Sequence, residues 1–327
     1  MLVAMNEQGK VINLLEMDDS ERSVLARQAL VCPACKSQVR LKNGRVKAPH
    51  FAHISLKACR HQAENESYQH LALKTALYQW FAQTETVQIE HFLPALQQTP
   101  DLLVNGTLAI EIQCSHLSIQ RLRERTKAYQ THGYPVVWLM GKDLWLGSKL
   151  SALKQDLLYF SQNAGFYYWE LDLSCRKIRL RYLIHEDLTG KLHYLTRDFA
   201  FGSANLLTIL RCPFKPITAK LAVHLPNDLT TFIARQLYYQ NPKWLKIQAL
   251  YYQNGQNLLT LTSIPLPIAP LGLNPLLASF QAPQSPDFCQ VTRDISDYYR
   301  QFLVYHVQKT ADILYPPSLY RQMLDPR

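Results

Sequence analysis

Long apolar runs are absent from this 327-residue chain. No stretch approaches the roughly 20 consecutive apolar residues that a transmembrane helix needs, and the first residues lack the basic start and apolar core of a signal peptide. Walker loops and the glycine-rich dinucleotide fingerprint are missing as well. These absences argue against a membrane-embedded protein, a secreted protein and an ATP- or NAD-dependent enzyme. We therefore expect a cytoplasmic protein without a membrane span.

Regularly spaced cysteines are also absent. The chain has seven cysteines, an odd number, and only Cys32 and Cys35 lie close together in the sequence. A disulfide scaffold would show an even set at short spacings, and disulfides are rare in cytoplasmic proteins. Metal binding and buried thiols are therefore the expected roles of cysteine. The composition, 47% hydrophobic and 18% charged, is that of an ordinary globular protein.

Acidic residues are missing from one long segment, residues 22–63, although the whole chain has a formal net charge of +10. The same segment contains the basic residues Arg22, Arg27, Lys36, Arg40, Lys42, Arg45, Lys47, Lys57 and Arg60. A field of one sign attracts a polyanion and releases its counterions. We therefore expect DNA as the partner, with Arg40, Lys42, Arg45 and Lys47 on the phosphates and little sequence preference. A solvated basic face without a partner is the alternative.

Two cysteines and two histidines in this segment have the spacing of a zinc site. Cys32-x2-Cys35 can present two thiolates, and His50 and His53 can supply two nitrogens, with Cys59 as an alternative ligand. Four such ligands close a tetrahedral, structural Zn²⁺ site. Residues i and i+3 of an extended strand point to opposite faces, so the two histidines need a turn between them to bind together. A module without metal is the alternative.

Residues 99–115 carry the strongest chemical signal, because they form two apolar strands joined at Asn-Gly. Alternation along the second strand places Glu111 and Gln113 on one face, and Asp101 lies at the start of the first strand. Magnesium is usually held by one or two carboxylates, water and substrate phosphate. Asp101 and Glu111 are therefore candidate ligands of a catalytic Mg²⁺ or Mn²⁺. The alternative is a surface hairpin with a solvated polar face.

The length of the hairpin loop decides whether the two carboxylates meet. A strict two-residue loop would pair Asp101 with Ile110 and point it away from Glu111. A three-residue loop through Thr107, with Gly106 left-handed, sets Asp101 across from Glu111. We predict the three-residue loop.

The clearest predicted helix covers residues 64–83. It has an apolar stripe, and Glu66, His70 and Lys74 follow one another at i, i+4 and i+8 along a second face. One interpretation is an exposed face of mixed charge. The functional interpretation is that Glu66 helps to position a metal ion or water, while His70 and Lys74 meet phosphate.

A second predicted helix covers residues 118–131, between a capping Ser118 and a closing Gly133. Its basic residues include Arg121 and Arg125. A basic helical face of this kind can follow a DNA backbone.

Several short motifs, taken in order, resemble those of a known family. Pro100-Asp101 and Glu111-Ile112-Gln113 look like the PD-(D/E)XK nuclease signature with Gln in place of the usual Lys. The wider set resembles the competence protein CoiA family: His50-Phe51-Ala52-His53, Glu66-Ser67-x2-His70-x3-Lys74, Glu111-x-Gln113-Cys114-Ser115 and Arg125-Thr126-x2-Tyr129. This resemblance implies a DNA-processing protein of natural transformation and recombination, with nuclease activity.

The resemblance also implies roles in phosphodiester hydrolysis. Asp101 and Glu111 would hold the metal ion, and Gln113 would orient the attacking water or a phosphate in place of the usual lysine. A non-catalytic DNA-binding or recombination-adaptor protein on the same scaffold is the competing function. The expected partners are single-stranded or branched DNA, together with recombination proteins.

The order of predicted elements indicates an α/β protein. Residues 1–62, with apparent hairpins at 2–15 and 39–46, would form a small β-rich, basic zinc-binding module. Residues 63–150 would form a restriction-endonuclease-like, mixed-sheet nuclease core. Residues 151–327 would form a C-terminal domain that begins with a hairpin and continues as mainly helical structure.

Tyrosine is abundant, with 18 residues in the chain. Several occur in pairs: Tyr167-Tyr168, Tyr238-Tyr239, Tyr251-Tyr252 and Tyr298-Tyr299. Such rings either stack on single-stranded bases or lie at the edge of a helical core, where one end is apolar and the other polar.

Overall fold

The computed structural model describes residues 1–25, 27–43, 49–55, 67–224, 228–261, 266–307 and 313–324. The chain divides into two compact units. The first unit comprises Met1–Trp145, Trp169–Arg179 and Asp198–Leu210, and the second comprises Leu146–Tyr168, Leu180–Arg197 and Arg211–Arg327. The domain boundaries at residues 62 and 150 stay predictions. A search of the described residues finds no helix with the length and apolarity of a membrane span.

The helices are α1 (Asp19–Leu25), α2 (Tyr68–Phe81), α3 (Ile119–Thr131), α4 (Ala152–Asp156), α5 (Leu206–Leu210), α6 (Leu229–Tyr238), α7 (Pro242–Gln253), α8 (Ser296–Val307) and α9 (Pro317–Leu324). The strands are β1 (Val3–Asn6), β2 (Val11–Asn13), β3 (Leu30–Val31), β4 (Gln38–Lys42), β5 (His50–His53), β6 (Val87–Ile89), β7 (Leu102–Val104), β8 (Leu108–Gln113), β9 (Val136–Met140), β10 (Tyr159–Ser161), β11 (Gly165–Asp172), β12 (Lys177–Asp187), β13 (Leu192–Ala200), β14 (Leu221–Ala222), β15 (Ile268–Pro270) and β16 (Ile313–Leu314).

An antiparallel sheet in the order β2-β1-β3-β4-β5 forms the N-terminal module. Its buried core consists of Ala4, Leu14, Leu25, Leu30, Cys32, Val39 and Phe51. The partner of β4 is β5, so the prediction of a local hairpin within residues 39–46 was wrong. Pairing with β5 sets Phe51 against Leu41 and buries the Phe51 ring in this core, which a local turn could not do.

A mixed sheet forms the centre of the first unit, in the order β11-β9-β8-β7-β6. The strands β6, β7 and β8 are antiparallel, whereas β8 runs parallel to β9, and β9 to β11. Helix α3 provides the crossover that a parallel pair requires. Helix α2 buries Leu73, Leu77 and Phe81 completely. The predicted helices at 64–83 and 118–131 are thus confirmed as α2 and α3, while residues 64–66 lie outside the described residues.

Side-chain caps fix the starts of these two helices. The Ser67 hydroxyl oxygen accepts a hydrogen bond from the His70 backbone N–H at 3.2 Å, and Ser118 does the same for Arg121 at 3.3 Å. A cap of this kind typically contributes about 1 kcal/mol. It also sets which residues of the first turn face the sheet.

The second unit combines strands with the C-terminal helices. Strand β10 pairs with β11, and β15 pairs with β12; β11 and β12 have residues in both units. Helices α6 and α7 share one buried cluster: Ile233, Trp244, Ile247, Tyr251, Leu258 and Leu276. The predicted α/β class is therefore confirmed, with a mixed sheet, a β-rich N-terminal module and helices towards the C-terminus.

Candidate functional site

The β7–β8 hairpin has the predicted three-residue loop. Leu102 pairs with Ile110, and Gly106 has a left-handed φ of +67°. Continuing this register by one residue sets Asp101 opposite Glu111. Both carboxylates therefore lie at the same end of adjacent strands, which confirms the predicted register.

The Asp101 carboxylate is held by a lysine, a histidine and one backbone donor. Its Oδ2 lies 3.1 Å from His70 Nε2 and accepts a hydrogen bond from the Ile112 backbone N–H at 2.8 Å. Its Oδ1 lies 2.9 Å from Lys74 Nζ. Burial alone would raise the pKa of Asp101, but His70 and Lys74 outweigh it and hold that pKa well below its ordinary value. Asp101 is therefore ionised throughout the neutral range.

Lys74 is a buried cation shared by two carboxylates. Only 1% of its side chain is exposed, and its Nζ lies 2.7 Å from Glu90 Oε1 as well as close to Asp101. Glu90 Oε2 accepts hydrogen bonds from the backbone N–H groups of Leu2, at 2.7 Å, and Val3, at 3.1 Å. A chain of contacts thus links β1 of the N-terminal module to Asp101. Glu90 adopts a left-handed φ of +48°, a conformation that costs free energy for a residue other than glycine.

Glu111 is anchored by α3. It is 2% exposed, and its Oε1 accepts hydrogen bonds from the Arg125 guanidinium at 2.6 Å and the Tyr129 hydroxyl at 2.7 Å. The Arg125 guanidinium lies over the Trp138 ring, whose indole N–H donates to the Thr126 hydroxyl oxygen at 3.1 Å. Burial raises the pKa of Glu111, and Arg125 opposes that rise.

Gln113 lies on the same strand face as Glu111, as predicted, but its amide is engaged. The side-chain Nε2 donates to the Ser115 carbonyl oxygen at 2.9 Å, and the residue is 8% exposed. The neighbouring Cys114 lies on the opposite face, and burial raises the pKa of its thiol to about 12. Cys114 is therefore not a thiolate nucleophile at neutral pH.

These residues line one cavity of about 1000 Å³ within the first unit. Its walls include the predicted site residues Asp101, Glu111, Gln113, His70, Lys74, Arg121 and Arg125, together with Cys32, Pro33 and Ala34 of the N-terminal module. The structure thus brings together the predicted carboxylates and the cations of α2 and α3. Glu66 lies outside the described residues.

A second candidate site lies in the N-terminal module. The ligand atoms of Cys32, Cys35 and His53 all lie within 4.8 Å of one another, and Cys35 Sγ is 3.3 Å from His53 Nε2. The backbone folds tightly here, because the Lys36 N–H donates to the Cys32 carbonyl oxygen at 3.0 Å and Lys36 takes a φ of +59°. Two thiolates and an imidazole can hold a metal such as zinc.

The structure separates His50 from this group. In the β4–β5 ladder His53 pairs with Val39, whereas His50 pairs with Lys42. Directly opposed residues share a face, and successive residues alternate, so His53 lies on the buried face and His50 on the outer one. The turn that both histidines would need is replaced by a strand. The alternative ligand Cys59 lies outside the described residues, and the fourth ligand stays a prediction.

The basic residues of the module lie on its outer surface where they are described. Arg40 and Lys42 are exposed on β4, and Arg121 is exposed at the start of α3. Arg45 and Lys47 lie outside the described residues. Arg125 differs from these, because it is largely occupied by Glu111.

The sequence indicates Tyr129 only as part of a motif, and Glu90, a lone strand carboxylate, has a weaker sequence signal than Asp101 and Glu111. The signal for Tyr129 is its spacing, since it follows Arg125 by four residues and so shares its helical face. The link from Glu90 to Lys74 spans 16 positions and carries no local signature.

Comparison with known proteins gives concordant matches. The model of the competence protein CoiA nuclease-like domain matches residues 66–195, and that of the competence protein CoiA N-terminal domain matches residues 15–62. Competence protein CoiA of Bacillus subtilis (strain 168) is 31% identical over 154 residues, which cover 46% of this chain and 39% of that relative. The aligned part thus spans well under half of the relative's length. No solved structure matches.

Proposed function

Because the chain belongs to the competence protein CoiA family, we propose that it is a divalent-metal-dependent deoxyribonuclease that processes DNA during natural transformation. One observation carries this proposal. Two carboxylates, the buried Glu111 and the partly buried Asp101, oppose each other on adjacent strands and line the same cavity. Phosphate binding alone has no use for two converging carboxylates.

The donor set fits Mg²⁺ or Mn²⁺. Asp101 is ionised, and the hydrogen bonds from Arg125 and Tyr129 to Glu111 both end on Oε1; in this proposal the other oxygen, Oε2, is the second hard ligand. One or two carboxylates completed by water and substrate phosphate are the usual surroundings of magnesium. When bound, such an ion would supply a hydroxide at neutral pH and neutralise charge on the phosphate.

Lys74 compensates for the missing signature lysine in this proposal. The lysine that usually occupies the last position of the signature would place an ammonium group beside the carboxylates. Gln113 cannot do so, because its side chain is neutral. The Nζ of Lys74 lies 2.9 Å from Asp101 and supplies that positive charge from α2. Gln113 would then orient water or a phosphate oxygen through its amide, after exchanging its bond to Ser115.

The DNA would be held mainly by its phosphates. We assign this role to Arg121 at the cavity and to the exposed Arg40 and Lys42 of the module, and His70 borders the same cavity. Contacts of this type bind without strong sequence preference. Single-stranded or branched DNA and recombination proteins are the proposed partners, and the zinc site would be structural.

A non-catalytic DNA-binding or adaptor protein is the second candidate. The observation that favours it is that each site carboxylate already has cationic or hydrogen-bonding partners, Lys74 and His70 for Asp101, and Arg125 and Tyr129 for Glu111. These partners compete with a metal ion for the same oxygens.

Cleavage of labelled DNA separates the two functions. Wild-type protein should cut single- or double-stranded DNA with Mg²⁺ or Mn²⁺ but not with EDTA. Asp101→Asn and Glu111→Gln should each lower the rate at least about 100-fold, because a neutral amide is a poor ligand for a hard cation. DNA binding should survive, or tighten for Asp101→Asn.

Glu124→Gln is the matched control, since Glu124 lines the same cavity but is exposed on α3. It should cut DNA at the wild-type rate. If wild-type protein cuts no form of DNA with either metal, the adaptor function replaces the nuclease function.

A further inference from the structure

The tyrosine pairs of the second unit differ sharply in burial. In two pairs both rings are buried: Tyr167 with Tyr168, and Tyr298 with Tyr299. In contrast, Tyr238 and Tyr239 are 80% and 65% exposed, and Tyr252 is 61% exposed beside a buried Tyr251. Tyrosine is usually half-buried or better, so this exposure calls for a role outside the core.

The core of the helix pair does not use these three rings. Helices α6 and α7 bury Ile233, Trp244, Ile247 and Tyr251 against each other and against neighbouring segments. Tyr252 lies on the opposite, solvent side of α7, and Tyr238 and Tyr239 end α6 where the chain turns into α7. The Tyr238 and Tyr239 rings lie 5.2 Å apart in an edge arrangement, so they do not cover each other face to face.

Cations accompany the exposed rings. The Arg235 guanidinium lies 5.9 Å from the centre of the Tyr239 ring, and Lys243 and Lys246 are exposed on the first turns of α7. The sequence contains no acidic residue between Asp228 and Asp287. The helix pair thus combines aromatic faces with positive charge and contributes no negative charge of its own.

We propose that single-stranded DNA binds to this surface. We call it the tyrosine surface and define it by Tyr238, Tyr239, Arg235, Lys243 and Lys246. Aromatic side chains stack on unpaired bases of any sequence, and neighbouring cations follow the phosphates. Bases inside a duplex are already stacked, so duplex DNA cannot use the rings. This binding does not depend on nuclease activity or on the proposed metal ion.

The test measures binding without the proposed catalytic metal ion. Full-length, zinc-loaded protein, without added Mg²⁺ or Mn²⁺, is titrated against a fluorescein-labelled thirty-nucleotide oligo(dT) and against a duplex of equal length. Tyr238→Ala with Tyr239→Ala should weaken oligo(dT) binding at least about fivefold, from the stacking lost per base, and should leave duplex binding within about twofold. Tyr238→Phe with Tyr239→Phe should bind like wild type, because phenylalanine keeps the π-face.

Two further variants measure the contribution of positive charge to single-strand binding and control for unspecific effects of a mutation. Lys243→Ala with Lys246→Ala should reduce the slope of log affinity against log salt for the single strand by about one. Phe214→Ala removes another exposed ring of the second unit, 62% exposed, and should leave the binding of both DNA forms unchanged.

Wild-type binding of oligo(dT) by the double tyrosine-to-alanine variant would overturn the proposal, as would an equal loss of duplex binding. Dissociation of an oligomer in that variant, with unchanged DNA binding, would instead assign the surface to a protein contact.

Discussion

At the scale of single residues, the buried Lys74 is the centre of the candidate site. It is surrounded by Glu90 and Asp101, and both ion pairs are shorter than 3 Å. A buried pair contributes little net stability compared with apolar residues, yet removing one partner leaves an uncompensated buried charge. The site therefore depends on this cation for its assembly as well as for its proposed chemistry.

We predict that Lys74→Met lowers the free energy of unfolding by about 3 to 5 kcal/mol, because the partly buried Glu90 and Asp101 both lose the cation that they share. Lys127→Met, at an exposed lysine of α3, should change it by no more than about 0.5 kcal/mol. Adding Glu90→Gln to Lys74→Met should recover part of the loss. Urea denaturation of the four proteins measures this, and equal stability of the two single lysine variants would refute the role given to Lys74.

The position of a single residue was predictable from sequence where its neighbours along the chain determine it. The apolar alternation around Asn-Gly predicts the two strands, and the prediction of a three-residue loop gives the register that sets Asp101 across from Glu111. The choice between His50 and His53 was not predictable, since it depends on the partner of β5. The contact between Lys74 and Glu90 was not predictable either, because it joins a helix to a strand end through tertiary packing alone.

At the scale of elements, the N-terminal sheet and its metal group depend on each other. Cys32 and Cys35 follow β3, and His53 ends β5, so a bound ion would join the middle strand of the sheet to an edge strand in a module with a small core. Small cores of this kind commonly need such a link. The helices α2 and α3 were predictable, because their apolar spacing and serine caps agree. The partner of β4 was not, because its local turn signal favours a closer strand.

Zinc loss tests this dependence. Chelation or Cys32→Ser should lower the melting temperature and release about one zinc per chain, because metal binding contributes directly to folding free energy. His53→Ala should lose zinc, whereas His50→Ala should retain it. Cys175→Ser, at an exposed cysteine, is the matched control. If freshly purified wild-type protein contains no zinc, the assignment of a structural zinc site is wrong.

At the scale of the whole molecule, the aromatic core of the second unit makes stability depend on pH. His185 and His306 are buried within it, at 1% and 2% exposure, and burial lowers the pKa of each to about 4 from 6.5. Between these pH values the unfolded chain binds protons that the folded chain does not. Stability is therefore complete above pH 6.5 and falls as the pH is lowered towards 4.

We predict a loss of about 3 kcal/mol per histidine across this window. His306→Phe should flatten the dependence, since the ring lies among Phe302, Tyr305 and Tyr320 and a phenyl ring does not titrate. Urea midpoints at pH 7.5 and 4.5 measure the effect. The same loss in wild type and His306→Phe would show that this histidine does not contribute.

The sequence predicted the order of strands and helices over most of the chain, but not how the strands from residue 165 onwards are used. The predicted hairpin of β11 and β12 is confirmed, because the two strands are neighbours in the sheet. In addition, Glu170 of β11 pairs with Met140 of β9, and only the parallel register of the folded sheet reveals this.

The central claim is that Asp101 and Glu111 together hold a divalent ion, and manganese binding tests it most directly. Zinc-loaded protein would be titrated with Mn²⁺ in the presence of DNA, with free Mn²⁺ followed by electron paramagnetic resonance. We predict one site in wild type and in Glu124→Gln that is lost in both Asp101→Asn and Glu111→Gln. Equal Mn²⁺ binding by wild type and Asp101→Asn would contradict the claim.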